Sequence, residues 1–136
     1  MLRFLDTNIL LYSISDDRTE SFKRDVAITL LDEDSNALSI QVLQEFYVQA
    51  TRATRPQPIP HDIAAGFIES WTRFRIQDMN LEVLGLALKI RETHRFSFWD
   101  SAVVAAALTL CCDRLYSEDL SHGQVIHGLT VLNPFL

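Results

Sequence analysis

Apolar residues along this chain fall into short clustered runs, separated by longer segments where they recur every three or four positions. The first run, Leu2–Leu5, suits a buried parallel strand and ends at Asp6-Thr7-Asn8. Ile9, Leu10 and Tyr12 follow, then the polar stretch Ser13–Arg18. From Thr19 to Leu31, the residues Phe22, Val26, Ile28 and Leu30 predict a partly buried helix. Asp32–Asn36 reads as a turn, and Ala37–Ile40 as a very short strand. A helix follows over Val42–Ala53, with Leu43, Phe46, Tyr47 and Ala50 at helical spacing. Three prolines make Arg55–Pro60 the longest irregular loop.

The second half repeats the theme. Helices are predicted over His61–Phe74, with Ile63, Phe67, Ile68 and Trp71 inward, and over Leu81–His94, with Leu84, Ala87 and Leu88 in one stripe. The Ala- and Leu-rich segment Ser97–Cys112 predicts another helix. Arg75–Gln77, Arg114–Tyr116 and Leu129–Leu132 read as short strands. Short apolar strands alternating with helices predict one α/β domain over residues 1–136, a short parallel central sheet covered by helices on both faces.

Composition agrees with a folded chain: 136 residues, 48% hydrophobic and 22% charged. Cys111 and Cys112 are adjacent and have no other partner, which predicts two buried thiols in a reducing compartment. Arg3 and Asp6 interrupt the first apolar stretch, and Ala102–Cys112 is too short to span a bilayer. A cytoplasmic protein without membrane contact is expected. The net charge of −6 argues against a general nucleic-acid binder. Acids gathered around divalent metal reverse that sign locally, since two Mg²⁺ would take the formal charge from −6 to −2. Placement of the acids therefore matters more than their number.

In an open α/β sheet, ligands bind at the carboxyl ends of the strands. Asp6 ends the first strand, Glu45 lies in the opening turns of the helix after the second, and Asp100 in the first turn of the Ser97 helix. Glu118 and Asp119 follow Arg114–Tyr116. Taken singly, each has a structural explanation: Asp6 opening a turn with Asn8 as a cap, Glu45 on a solvated face, Asp100 in a capping box with Ser97, Glu118 and Asp119 in a turn. Taken together, they deliver carboxylates from four segments to one edge. Such a set suits Mg²⁺ or Mn²⁺ and the activation of water on a phosphodiester.

The motifs Leu5-Asp6-Thr7-Asn8, Gln44-Glu45, Phe98-Trp99-Asp100-Ser101 and Leu115-Tyr116-Ser117-Glu118-Asp119-Leu120 resemble, in order and spacing, those of PIN domains. The likeness is greatest to the VapC-type toxins of bacterial toxin–antitoxin pairs, and it extends to the tail through Gly128-Leu129-Thr130 and Asn133-Pro134-Phe135. It implies a Rossmann-like fold and Mg²⁺- or Mn²⁺-dependent endoribonuclease activity. It further implies an antitoxin partner and a homodimer. By that resemblance Asp6, Glu45, Asp100 and Asp119 are the catalytic acids. Asp6, Asp100 and Asp119 are the metal ligands, with Glu45 joining directly or through water. Asn8 and Ser117 support them, and Glu118 faces outward. Many relatives carry a further acid two residues on, where this chain has Ser121, so the number of metals stays open.

Among the other candidates, Phe96, Phe98 and Trp99 are possible base-stacking residues, with burial expected for at least two. Phe67 and Trp71 suit the core or a self-association surface. Arg52 and Arg55 suit the end of the Glu45 helix, or guidance of RNA. His122 reads as a turn residue, and His61, His94 and His127 receive no role. Two rivals remain: a catalytically silent RNA- or antitoxin-binding module, and another metal-dependent phosphohydrolase. A receiver domain needs a late lysine, whereas the last here is Lys89, and a phosphatase with a nucleophilic aspartate needs an acid where Asn8 stands.

Overall fold

Strand β1, Arg3–Leu5, is buried along its whole length, and that dictates its place in the middle of the sheet. The computed structural model describes residues 1–136. Six strands follow the order β3-β2-β1-β4-β6-β5, where β2 is Asn36–Ser39, β3 Arg75–Gln77, β4 Arg114–Tyr116, β5 Val125–Ile126 and β6 Leu129–Leu132. All pairs are parallel except β5 with β6, where Ile126 faces Leu129. Phe4 stands beside Ala37 on one flank and Leu115 on the other. The chain runs outward from β1 in both directions, so the point where the order reverses lies between β1 and β4.

One cation is buried beside this core. The Arg3 guanidinium donates to the Asn36 carboxamide at 2.8 Å and the Leu30 carbonyl at 3.1 Å, and pairs with Glu33 at 3.0 Å. It thereby fastens β1 to the turn that enters β2, using the charge-assisted bonds a buried cation requires.

Six helices pack in two groups on the two faces: α1 (Thr7–Ser13), α2 (Ser21–Leu31), α3 (Ile40–Thr51) and α4 (His61–Trp71), then α5 (Leu81–His94) with α6 (Phe98–Thr109). No helix is long and apolar enough to cross a membrane. In α6 every residue from Ser101 to Ala107 is buried. A helix apolar all round must sit inside, and its small side chains let α5 and the sheet approach closely.

Several expectations are corrected. Phe22, Ile28 and Ile63 are exposed, and α2 buries Ala27 and Leu31 beside the expected Leu30. Helix α5 turns Val83, Ala87 and Ile90 inward and leaves Leu88 in solvent, because its apolar residues surround the axis and α6 selects the face. Helix α3 begins at Ile40 behind the Ser39 cap, taking a residue assigned to the strand, and ends at Thr51. Helix α4 stops at Trp71, and α6 at Thr109. Beyond α6 the chain turns through Cys111 in the left-handed region (φ 59°), so Cys111 is exposed and only Cys112 is buried. Strand β5, two residues long, has no counterpart in the sequence reading.

Candidate active site

The first acid owes its position to a strand that runs directly into a helix. Asp6 follows β1, its N–H donates to the Tyr116 carbonyl at 3.0 Å, and its side chain caps α1 by accepting the Thr7 N–H at 2.7 Å. Its other oxygen accepts the Ser117 hydroxyl at 2.7 Å. Ser117 lies just past β4 and is fully buried, and its oxygen also accepts the Asp119 N–H at 3.1 Å. One hydroxyl thus ties two acids from the opposite ends of the chain together.

Asp119 leaves that turn at the exposed mouth of the cleft, where the Asn8 carboxamide donates to it at 3.2 Å. Asp100 comes from the first turn of α6, whose N-cap Ser97 accepts the Asp100 N–H at 3.1 Å. Oxygens from Asp6, Asp100 and Asp119 all lie within 4.8 Å of one another. Glu45 stands on α3 beside them and is held at both oxygens: the Thr7 hydroxyl donates at 2.8 Å, and the Gln41 carboxamide at 2.8 Å. Gln41 also donates to the Trp99 carbonyl at 3.2 Å, linking α3 to α6. The resulting cleft of about 220 Å³ contains all four acids and Asn8.

Glu118 takes the opposite direction from its neighbour. It accepts a hydrogen bond from the Tyr12 hydroxyl and pairs with Lys23 at 2.9 Å, against α1 and α2. The Asn133 N–H donates to His122 at 3.0 Å, which uses that imidazole to hold the tail.

Electrostatics make the cluster costly as it stands. Burial pushes the Asp6 carboxyl up to about 7, although the Ser117 and Thr7 hydrogen bonds pull down and the Asp119 and Asp100 charges push further up. Asp100 is raised, first by desolvation and also by the Glu45 charge, against the Ser97 hydrogen bond. Asp119 is raised by partial desolvation, then by Asp100 and Glu118, against the Asn8 hydrogen bond. No lysine or arginine lines the cleft to offset these charges. Hard oxygen donors this close, without a protein counter-ion, fit a divalent cation such as Mg²⁺ or Mn²⁺.

Two contributors, Thr7 and Gln41, have no counterpart in the sequence reading. Both are uncharged, and each reveals itself only by position: Thr7 follows Asp6 directly, and Gln41 lies one helical turn before Glu45. Of the aromatic candidates, Phe96 and Phe98 pack against the core while Trp99 is 62% exposed at the cleft. Trp71 is buried and stacks on Phe67, which places both with the core.

The sequence matches the PIN domain family over residues 3–125. No curated protein sequence matches it. Among solved structures it resembles a toxin–antitoxin complex from Klebsiella pneumoniae, with 19% identity over 97% of each chain and a TM-score of 0.71. It is also similar to Mycobacterium tuberculosis VapC20, a sarcin-ricin-loop-cleaving toxin, with 18% identity over 86% of this chain and 89% of that one, at TM-score 0.67. VapBC-1 from nontypeable Haemophilus influenzae shares 17% identity over 98% of each chain, at TM-score 0.66.

Proposed function

The chain belongs to the PIN-domain family, and from that premise we propose that it is a Mg²⁺- or Mn²⁺-dependent endoribonuclease, the toxin of a toxin–antitoxin pair. The observation that carries this reading is the convergence of Asp6, Asp100 and Asp119 within 4.8 Å in a cleft without a basic residue. Asp6, Asp100 and Asp119 would hold the metal, and Glu45 would complete the set directly or through a water. Bound there, the ion would supply Lewis-acid polarisation of a phosphodiester and acidify a water.

The chain's own groups do the rest. Ser117 and the Thr7 N–H keep Asp6 aimed and favour its ionised form. Asn8 holds Asp119 at the mouth. Glu45, steadied by Thr7 and Gln41, accepts the proton of the attacking water at a carboxylate oxygen. Cleavage displaces the 3′ oxygen and leaves a 5′ phosphate. The solved neighbours include toxin–antitoxin complexes, which supports a cognate antitoxin that silences this chain, and we extend the reading to a homodimer. The cytosol is the compartment it requires.

RNA cleavage by the purified protein with Mg²⁺, Mn²⁺ or chelator, beside Asp6→Asn and Asp100→Asn, tests the proposal. Metal-dependent cleavage is expected, with a loss of roughly 10³-fold or more in either variant if catalysis rests on the bound ion. Equal activity in folded variants would remove these acids from the mechanism, and cleavage in chelator would remove the metal.

A further inference from the structure

Helix α3 presents a second feature beyond the acids. Gln41, Gln44, Glu45, Val48, Gln49 and Arg52 recur at intervals of three and four, one stripe along a single face about 16 Å long. That stripe and Trp99 line a groove of about 330 Å³. The groove shares Gln41, Glu45, Gln49 and Trp99 with the acidic cleft, so the two are continuous. Its ends differ in charge: the acids at one, Arg52 at the other. Arg52 is exposed and takes part in neither ion pair of the protein, Arg3–Glu33 or Lys23–Glu118.

The lining has an unusual composition for bare surface. Trp99 is 62% exposed and Val48 55%, two large apolar groups facing solvent beside the acidic cleft. Between them are three glutamine carboxamides: Gln44 and Gln49 can donate and accept, while Gln41, whose amide N–H groups go to Glu45 and the Trp99 carbonyl, can accept. Gln41 is 5% exposed, yet its buried Oε1 has no partner. An apolar protein segment lying here would leave those amides unpaired at a cost. A nucleotide would use every part: indole and valine for the base faces, amides for base and ribose edges, and guanidinium for phosphate.

We propose that the groove between Trp99 and the α3 stripe ending at Arg52 is a subsite for an unpaired nucleotide flanking the scissile phosphate, with its base stacked on Trp99. This rests on the ribonuclease reading. Stacking on Trp99 needs a base free of its own neighbours, so the subsite selects single-stranded segments over duplex. Arg52 fixes the distance between the phosphate it contacts and the one at the acids. Trp99 and Arg52 are thus binding residues that set where a strand is cut, without part in the bond-breaking step.

The test uses the Asp6→Asn protein, to prevent cleavage, and a fluorescein-labelled single-stranded RNA octamer followed by anisotropy. Added Trp99→Ala weakens binding roughly tenfold, in the range of one lost base stack, while Trp99→Phe retains most of the affinity. Arg52→Gln weakens binding a few-fold and lowers the salt dependence by about one counterion. Since Trp71 is 4% exposed, RNA-induced quenching of tryptophan emission reports Trp99. Unchanged affinity in Trp99→Ala, equal quenching by a blunt duplex of the same sequence, or no RNA binding by the parent overturns the subsite. A Trp99→Ala protein that loses an antitoxin partner but keeps RNA overturns it too, and assigns the groove to protein docking. The two readings separate cleanly. RNA binding lost in Trp99→Ala, beside a wild type that cuts no RNA, leaves the subsite and removes the nuclease. Unchanged binding beside metal-dependent cleavage does the reverse.

Discussion

The cleft has two walls of different construction. One is made by the ends of β1 and β4: Asp6, Ser117 and the turn to Asp119, joined by hydrogen bonds of 2.7–3.1 Å around buried atoms. The other is made by α3 and α6, where Glu45 and Asp100 sit beside an exposed indole and an open groove. The sheet wall keeps charge where water would not, and its order follows from the parallel ladder that runs through Phe4 and Leu115. The helix wall is one stripe of α3 with Trp99 beside it, tied together by the Gln41 hydrogen bonds to Glu45 and the Trp99 carbonyl. Strand ends supply Asp6 and Asp119, helices supply Asp100 and Glu45, and the open groove lies on the helix side alone.

Three outcomes would break or sharpen that contrast. The largest concerns Asp6. Its folded-state carboxyl titrates near 7 against an ordinary 3.8, so between those values the folded protein binds the proton more tightly than the unfolded chain. The stability this contributes is full below about pH 4, is lost as pH rises to about 7, and is then level; the loss is on the order of 4 kcal/mol. Urea unfolding of metal-free protein at pH 5 and pH 8 should show that decline, with Mg²⁺ restoring stability at pH 8. Asp6→Asn should show only the smaller decline left by Asp100 and Asp119, and be indifferent to Mg²⁺. A flat wild-type profile would mean that the sheet wall bears its charge at no cost.

A smaller effect is expected for Ser117→Ala, which removes the bridge between Asp6 and Asp119. It leaves the Asp119 N–H and one Asp6 oxygen without their partner, a loss of about 1–3 kcal/mol. Metal affinity measured by calorimetry should fall roughly 10–100-fold, as for other groups that orient ligands. Intact affinity would show that the acids need no common anchor.

The smallest effect tests whether direction or sequence position decides a carboxylate's part. Glu118→Gln, which disturbs the Lys23 and Tyr12 contacts and removes one of the smaller charges acting on Asp119, should cost under about 1 kcal/mol and leave cleavage within a few-fold. Asp119→Asn, one residue on, should lose metal. Equal losses in both would dissolve the distinction between the wall and its outer face.

The sheet wall was the more legible in sequence. Strands β3, β4 and β6 and helix α5 have the bounds read from the sequence. Short strands leave a signal as brief stretches around an apolar residue set between polar turns, although β3 has no buried residue and Arg114 opens β4 in solvent. The inward face of α5 left none, because Leu84 and Leu88 are as apolar as Val83 and Ile90 and only packing against α6 separates them. The stop of α6 was equally silent: Cys111 takes a left-handed conformation where no glycine announces it. Strand β5 is too short for alternation to show. In the site, the acids stood out by charge, whereas Thr7 and Gln41 act through neutral hydrogen bonds that exist only once α1, α3 and α6 have met.

The Ser117 bridge joins residues 111 positions apart, and this orders events during synthesis. A ribosome delivers Asp6 first, Glu45 and Asp100 in turn, and Asp119 last. Until β4 has emerged and paired with β1, the growing chain carries three of the acids with no wall to gather them. For a protein proposed to cut RNA, the nascent chain is harmless to the message that encodes it, and the blade closes only when translation of the part that holds it is over.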